Sequence, residues 1–372
     1  MAAPTILTGD CLDVLATLPA DSFQACVTSP PYFGLRDYGV EGQIGLEESP
    51  EAYVAKMVEV FRAVRRVLRP DGTLWLNLGD SYAGGGGGNY GEGKSVRSQG
   101  GQQVTNVRNR PSWLEATGLK PKDAMLMPER TLIALQADGW WVRDKIIWRK
   151  PNPMPSSVRD RFCPAWEPVF LLSRSARYFF DTDAAREPRV QDEDANGFRG
   201  GSYVEGEPGP RQARGNKRVK VPGGWMVGPG AHGTIHTEGR TAATYRDRSG
   251  NKDRNRYPAE VGDPRPGEIA RSFPWEDSDG KRLMRNVWDI ATEPFKEAHF
   301  ATFPTALAER CIRIGTRKGD AVLDPFGGAG TVGLVASRLQ RRATLIELNP
   351  AYADMARERC RADAPLHMAE GT

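Results

Sequence analysis

The chain has 372 residues, of which 39% are hydrophobic and 26% charged, so it can bury a sizeable core as one large domain or one domain with an insertion. Its four histidines and five scattered cysteines show neither metal-ligand spacing nor a disulfide framework, which predicts a reducing compartment and no metal site. No apolar run approaches the roughly 20 residues of a membrane span. We therefore expect a cytoplasmic protein with no membrane partner.

The formal net charge of +4 is unevenly distributed. Residues 208–257 contain eleven Lys or Arg and three acids, so 11 − 3 gives about +8 for that window. The rest of the chain is then close to −4 by subtraction. One strongly basic segment on a mildly acidic body predicts contact with a polyanion at one place.

Strand and helix signals alternate over the first eighty residues. Short apolar runs predict strands over 5–8, 23–28 and 73–78. Apolar residues at helical spacing predict helices over 11–18 and 52–68, the second of which ends at an Arg-Pro-Asp-Gly turn. Strands that alternate with helices in this way predict a parallel sheet covered by helices on both faces.

The middle of the chain departs from this pattern. Residues 83–111 contain a run of five glycines and no hydrophobic period, which predicts a mobile basic loop. Ordered segments follow, predicted as one helix and then two or three strands, at 127–138, 144–148, 169–173 and 178–180. Residues 184–285 are again rich in glycine, proline and charge. A segment of that length inside a compact fold predicts an inserted substrate-reading region rather than a plain loop.

The last part of the chain returns to a regular α/β pattern. Predicted helices and strands alternate over 304–315, 321–324, 332–339, 343–346 and 349–362. The sequence DPFGGAGT, residues 324–331, joins the first of these strands to its helix, and the next strand ends at Glu347. Glycines let the backbone approach a ligand, and Glu347 is placed to accept hydrogen bonds from ribose hydroxyls. Because no second turn is available for a pyrophosphate, a mononucleoside such as S-adenosylmethionine is favoured over a dinucleotide.

Five segments together resemble a known family. In chain order they are GDCLDVL, TSPPY, HFATFP, DPFGGAGT and IELNP. This set closely resembles the amino-methylating DNA methyltransferases of the permuted β group, in which the catalytic segment comes first and the cofactor half last. The resemblance covers roughly residues 4–82, 125–183 and 285–360. It implies an α/β fold of the Rossmann-like, S-adenosylmethionine-dependent methyltransferase type, with a seven-stranded mixed sheet and an inserted target-recognition region.

The resemblance also implies a division of the chain and a set of cofactor contacts. Residues 1–183 would form the catalytic half, 184–285 the target-recognition insertion and 286–372 the cofactor-binding half. The glycine-rich turn would wrap the methionine part of S-adenosylmethionine, Glu347 would bind its ribose, and the first strand would end near its adenine. The residues implied in cofactor binding are Asp10, Thr302, Phe303, Pro304, Asp324, Phe326, Gly327, Gly328, Gly330 and Glu347.

The TSPPY segment acquires a chemical meaning from this resemblance. The amino group of a nucleobase is a poor nucleophile because its lone pair is delocalised into the ring. Ser29 and the carbonyl of Pro30 can accept hydrogen bonds from the two amino hydrogens, and Pro31 restricts the backbone that holds that carbonyl. Tyr32 offers a ring face to a base turned out of the duplex. Without the cofactor motif, the same residues would be interpreted as the end of an edge strand.

Double-stranded DNA is the partner that the resemblance implies, and a homodimer and a cognate restriction endonuclease remain open. Basic side chains in the two glycine-rich stretches and after the strand at 144–148 would contact phosphates. These predicted DNA contacts are Lys94, Arg97, Arg108, Arg110, Arg159, Arg161, Arg211, Arg214, Lys217, Arg218 and Lys220.

The methylated base is indicated by Ser29. Within the family, serine at this position is commoner in enzymes that act on cytosine N4, whereas aspartate or asparagine is commoner in those that act on adenine N6. We therefore predict cytosine N4, with adenine N6 as the alternative. A DNA-binding protein that has lost activity is the alternative from another class. Relatives that methylate a protein glutamine or an RNA base usually carry asparagine before the two prolines and are not permuted, which disfavours them.

Overall fold

The structure is a computed structural model that describes residues 3–83, 96–97, 103–104, 119–153, 155, 158–188, 281–293 and 304–369. The chain divides into two compact units, one formed by Met1–Arg186 with Leu283–Thr372 and the other by Glu187–Arg282. Within the second unit the described residues are 187–188 and 281–282. The predicted insertion at 184–285 and the predicted mobile loop at 83–111 therefore lie almost entirely outside the described residues.

The described helices are α1 (Cys11–Thr17), α2 (Pro50–Val67), α3 (Met127–Ala137), α4 (Thr305–Gly315), α5 (Thr331–Arg338) and α6 (Pro350–Ala369). The described strands are β1 (Thr5–Thr8), β2 (Phe23–Thr28), β3 (Leu68–Asn77), β4 (Val96–Arg97), β5 (Gln103–Val104), β6 (Trp141–Arg149), β7 (Trp166–Ser173), β8 (Arg186–Pro188), β9 (Lys281–Leu283), β10 (Val287–Asp289), β11 (Ala321–Asp324) and β12 (Arg342–Glu347). Strands β4 and β5 pair with each other, as do β8 and β9.

One large mixed sheet organises the first unit. Its strand order is β1-β12-β11-β2-β3-β7-β6-β10, and within the described sheet only β7 runs antiparallel to its neighbours. Because the other strands are parallel, their carboxyl ends meet at a single edge. The sheet confirms the predicted α/β class and places the end of the first predicted strand beside the end of the strand that follows the glycine turn, β12.

The predicted number of strands in this sheet is wrong, because the described sheet has eight strands instead of seven. The additional strand is β10, which pairs with β6 through three residues and is too short to show a period of two. The segment at 178–180 is not a strand. Two of its aromatic residues pack against each other: the rings of Tyr178 and Phe180 meet edge to face with centroids 6.4 Å apart.

The hydrophobic core lies on both faces of the sheet. Central strand β2 is buried along its whole length, as expected for a parallel strand covered on both sides. On one face α2 presents Tyr53, Met57 and Phe61, all fully buried at helical spacing, and α1 and α3 pack beside it. On the other face α4 and α5 cover β11, β2 and β12. Among the described residues, no helix combines the length and apolarity needed to cross a membrane.

Candidate active site at the carboxyl edge of the sheet

A single cavity at the carboxyl edge of the sheet joins the two predicted sites. It is lined by residues 29–32 of the TSPPY segment, here called the amino clamp, by the glycine turn and by the end of β12. The lining residues include Asp10, Ser29, Pro30, Pro31, Tyr32, Asp324, Phe326, Gly327, Gly328 and Glu347. The two segments meet because β2 and β11 are neighbouring parallel strands. A buried hydrogen bond connects their ends: the Thr28 hydroxyl donates to the Asp324 carboxylate at 2.7 Å, across 296 positions of sequence.

The glycine turn, residues 324–331, has three positions at which a side chain would be strained or would clash. Gly328 and Gly330 have positive φ angles of 48° and 78°. A Cβ on Gly327 would lie 2.9 Å from the Cβ of Leu345, and one on Gly330 would lie 2.9 Å from the Cβ of Ala356. The turn is thus pressed onto β12 and α6, and its backbone forms one wall of the cavity.

Glu347 lies at the end of β12 with its carboxylate on the cavity wall. Its Oε2 accepts a hydrogen bond from the Gly328 amide at 2.7 Å, and its Oε1 accepts one from the Asn349 amide at 2.9 Å. Burial raises the pKa of this carboxyl, and those two amides act in the opposite direction. Because each carboxylate oxygen has two lone pairs, the group retains acceptor capacity for the hydroxyls of a ligand.

Asp324 is more deeply buried than Glu347. Burial raises its pKa to about 7, and the neighbouring charge of Glu347 adds to that shift. The Thr28 hydroxyl and the Phe326 amide, which donate to the same oxygen at 2.7 and 3.1 Å, lower it in part. The residue therefore fixes the junction between β11, β2 and the turn, and its ionisation is sensitive to pH near neutrality.

Asp10 combines two roles in the structure. Its carboxylate caps α1 by accepting hydrogen bonds from the amides of Leu12 at 2.7 Å and Asp13 at 3.3 Å. It also lines the cavity, and its predicted place beside the adenine of the cofactor stays a prediction. Thr302 and Phe303 lie outside the described residues, and Pro304 immediately precedes α4.

The amino clamp, residues 29–32, is anchored by a hydrogen bond from α2. The hydroxyl of fully buried Tyr53 donates to the carbonyl of Pro31 at 2.9 Å. Ser29 is half-buried, Pro30 is buried, and both residues line the cavity.

Tyr32 is anchored at both its ring and its hydroxyl. A Cβ on Gly79 would lie 2.4 Å from Cε2 of the tyrosine, so the ring rests directly on the backbone at that glycine. The phenol oxygen lies 3.1 Å from both Asn77 Oδ1 and Glu167 Oε2. Burial, followed by the charge of Glu167, raises the tyrosine pKa well above its usual value, so the phenol remains protonated and can donate.

Several residues that line the cavity or contact the clamp were not predicted as site residues. Arg36 and Tyr38 follow the clamp directly, and Gln43 ties this segment together by accepting from the Tyr38 amide at 2.7 Å. Asn77 and Glu167 reach the clamp from β3 and β7. A polar residue at the end of a buried apolar strand was the available signal for Asn77.

The predicted DNA contacts are only partly described. Arg159 and Arg161 are exposed in the loop between β6 and β7, on the same edge of the sheet as the cavity. The Arg161 guanidinium lies 3.4 Å from the centroid of the Tyr82 ring, a cation–π contact. For Arg97 the backbone alone is described, in β4. The others lie outside the described residues, namely Lys94, Arg108, Arg110, Arg211, Arg214, Lys217, Arg218 and Lys220. Within the described ranges, no cluster of His, Cys, Asp and Glu could hold a metal ion.

Comparison with known proteins gives a consistent picture. The profile of the DNA methylase family with N6 and N4 members matches residues 23–358. The chain is 36% identical over 359 residues to the Type II methyltransferase M.Cfr9I of Citrobacter freundii, a match that spans 96% of this chain and 88% of that protein. It is also 36% identical over 355 residues to the Type II methyltransferase M.SmaI of Serratia marcescens, spanning 95% and 89%.

Two solved structures share the fold. PvuII DNA methyltransferase (cytosine-N4-specific) aligns over 99% of this chain and 94% of its own, with a TM-score of 0.53 and 16% identity. The TTHA0409 protein of Thermus thermophilus, complexed with S-adenosyl-L-methionine, aligns over 97% and 95%, with a TM-score of 0.51 and 22% identity. At these identities the likeness concerns the fold alone.

Proposed function

This chain belongs to the DNA methylase family, and we propose that it transfers the methyl group of S-adenosylmethionine to the exocyclic N4 of cytosine in double-stranded DNA. Family membership makes it an S-adenosylmethionine-dependent DNA methyltransferase of the N4 or N6 type. The choice of cytosine, the flipping of the base out of the duplex and the roles of individual residues are the proposal.

One observation supports the proposal most directly. The clamp residues Ser29 and Pro30 line the same cavity as Gly328 and Glu347. A methyl donor held by the glycine turn and an amine held by the clamp would therefore share one space. Positioning two reactants in this way supplies much of the rate in a direct group transfer.

The cavity fits a nucleoside cofactor. Gly327 and Gly330 cannot carry side chains without a clash, so at these two positions the turn offers only backbone to a ligand. Glu347 presents carboxylate oxygens with unused acceptor capacity, and the rings of Tyr38, Phe326 and Tyr352 border the same space. When bound, S-adenosylmethionine supplies an electrophilic methyl carbon on a positively charged sulfur.

The clamp would act on the amine. Ser29 and the carbonyl of Pro30 would each accept one hydrogen bond from the amino group, which draws the nitrogen toward a tetrahedral geometry and localises its lone pair. As the nitrogen–methyl bond forms, the sulfur–methyl bond would break, the neutral thioether S-adenosylhomocysteine would leave, and the methylated nitrogen would release one proton to solvent. Tyr53 holds the next carbonyl, that of Pro31, and thereby fixes the backbone that aims the acceptor.

Cytosine is proposed on the identity of Ser29. A serine hydroxyl is neutral, and in the family that the sequence resembles it is commoner in N4-cytosine enzymes than aspartate or asparagine. Adenine N6 is the second candidate, because both amines present the same two hydrogens to the clamp. The named relatives are Type II methyltransferases, which supports a role in restriction-modification beside a nuclease of the same recognition sequence.

The experiment that tests the proposal identifies the modified nucleoside. Unmodified plasmid and bacteriophage DNA would be incubated with the full chain and S-adenosylmethionine, digested to nucleosides and analysed by mass spectrometry. We expect N4-methylcytosine in the wild-type reaction, and with Ser29→Ala the same product formed about 100- to 1000-fold more slowly. N6-methyladenine as the product would overturn the choice of base, and no methylated nucleoside from any duplex would favour an inactive DNA-binding protein.

A further inference from the structure

We propose that Glu167 is a positioning residue which, through Asn77 and Tyr32, orients the Ser29 hydroxyl as a hydrogen-bond acceptor for the amino group of the substrate. The inference rests on the proposed function, because it concerns the same clamp. It adds a residue that lies outside the TSPPY segment and outside the cofactor half. Glu167 is the second residue of β7, on the antiparallel strand beside β3.

The residues concerned form one chain of contacts, here called the orienting network. The Lys150 ammonium donates to Oε1 of Glu167, and this pair is mostly buried, with 18% and 22% of the side chains exposed. Oε2 of the same carboxylate lies 3.3 Å from Asn77 Nδ2 and 3.1 Å from the Tyr32 hydroxyl. The Ser29 hydroxyl lies 3.4 Å from Asn77 Oδ1 and 3.4 Å from the Tyr32 hydroxyl.

The direction of the hydrogen bonds in this network is fixed at one end. An ionised carboxylate can only accept, so Asn77 must turn its amide nitrogen toward Glu167. The same nitrogen also donates to the carbonyl of Pro168 at 3.1 Å, which requires the same orientation. Asn77 Oδ1 must then face Ser29 and Tyr32, and an amide oxygen can only accept. Asn77 is 4% exposed, so water does not replace these partners.

Ser29 is consequently the donor in its contacts with the network. Its single hydroxyl hydrogen points toward Asn77 or the Tyr32 oxygen, and its lone pairs are left to face the cavity. An amino group on a base is a donor and needs an acceptor at this point. Tyr32 supports this direction because its protonated phenol gives its own hydrogen to Glu167 or Asn77. The network therefore favours the one orientation of the serine that suits the proposed substrate.

Glu167→Gln would disturb this direction with little change in shape. Lys150 can only donate, so it keeps the oxygen of the new amide on its side. The amide nitrogen then replaces Oε2 and faces the Asn77 nitrogen and the Tyr32 hydroxyl. Two donors meet at the Asn77 contact, whereas at the Tyr32 contact the hydroxyl must now accept and so turns its hydrogen toward Asn77 or Ser29. Ser29 then either competes with the Tyr32 hydroxyl for the Asn77 oxygen or accepts a hydrogen bond from Tyr32. In both cases the serine becomes a poorer acceptor for the amino group of the substrate.

The test measures single-turnover methyl transfer from labelled S-adenosylmethionine to unmodified plasmid and phage DNA. We expect Glu167→Gln to lower the transfer rate about 10- to 100-fold, the range for loss of a hydrogen bond to a charged group. We expect its melting temperature and its affinity for S-adenosylmethionine to remain close to those of the wild type. Glu129→Gln is the matched control, because it removes a carboxylate paired with Lys145 outside the cavity lining and should leave the rate unchanged.

A double-mutant cycle with Ser29→Ala shows whether Glu167 acts through the serine. In the Ser29→Ala background, Glu167→Gln should change the residual rate by no more than about twofold, because the group that it orients is absent. Equal losses in both backgrounds, or a wild-type rate for Glu167→Gln, would overturn the inference. The nucleoside that the wild type produces tests the proposed function separately. N6-methyladenine would contradict the choice of cytosine, and the double-mutant cycle would still test the role of Glu167. No methyl transfer at all would contradict both the proposed function and the role of Glu167.

Discussion

The two walls of the cavity are built in different ways. The glycine turn is local: eight consecutive residues, 324–331, shape it through backbone angles, and it packs on β12 and α6 through the absence of side chains. The amino clamp is also short in sequence, but the four residues that support it come from three distant segments. Tyr53 on α2, Asn77 on β3, Gly79 after β3 and Glu167 on β7 each contact it.

Because of this difference, we expect substitutions in the two walls to affect different properties of the enzyme. Under the proposed function, a change in the turn would alter the shape of the cofactor site and the packing beneath it. A change in the clamp would alter hydrogen bonds to the substrate and leave the cofactor site intact. Each variant below therefore needs two measurements, the affinity for S-adenosylmethionine and the rate of methyl transfer, and the contrast between them is the informative quantity.

The largest expected effect follows from removal of the serine hydroxyl. Ser29→Ala should lower the rate of methyl transfer by about 100- to 1000-fold, the range seen when one preorganised hydrogen-bonding group is removed from a reacting centre. Its dissociation constant for S-adenosylmethionine, measured by titration calorimetry, should stay within about twofold of the wild type, since Ser29 lies on the other wall. A parallel loss of cofactor affinity would show that the two walls do not act separately.

The opposite pattern is expected from the turn. Gly330→Ala places a Cβ 2.9 Å from that of Ala356 on a backbone with φ of 78°, so we expect loss of cofactor affinity together with a free energy of unfolding lowered by about 1–3 kcal/mol. Gly319→Ala is the control, because Gly319 has a φ of 83° and no atom within 4 Å of the added Cβ. The control should lose some stability and keep cofactor affinity; equal cofactor affinities in the two variants would be evidence against the packing argument.

A third prediction concerns pH and the junction between the walls. The pKa of Asp324 is raised from 3.8 to about 7 in the folded chain, so the folded state binds the proton more tightly than the unfolded state. The contribution of this group to the free energy of unfolding should therefore be highest at low pH and fall between about pH 4 and 7, with a slope of at most about 1.4 kcal/mol per pH unit. Asp324→Asn retains an acceptor for Thr28 and should flatten that slope in denaturant titrations. An unchanged slope would mean that Asp324 titrates normally.

The smallest expected effect comes from the support beneath the clamp. Tyr53→Phe removes the hydrogen bond to the Pro31 carbonyl and should lower the free energy of unfolding by about 1 kcal/mol, since the ring itself stays packed. The transfer rate should fall modestly and cofactor affinity should not change. Tyr178→Phe, whose hydroxyl accepts from Arg143 outside the cavity lining, provides the comparison for chemical unfolding and should leave the transfer rate unchanged.

The same contrast explains how much could be predicted from the sequence. The order of strands and helices in the first unit, the glycine turn and the clamp all follow from local patterns, and most predicted boundaries fall within a few residues of those observed. The eighth strand was missed because three residues carry no periodicity. Glu167 and Asn77 were missed as site residues because their contacts with the clamp span 135 and 48 positions and depend on the pairing of β3 with β7.

The central claim is that the clamp and the glycine turn enclose one reaction space, and a crystal structure of the chain with S-adenosylmethionine tests it most directly. We expect the ribose hydroxyls at Glu347 and the transferable methyl group directed at the Ser29 hydroxyl and the Pro30 carbonyl. A cofactor bound elsewhere, or one whose methyl group points away from Ser29, would contradict the account.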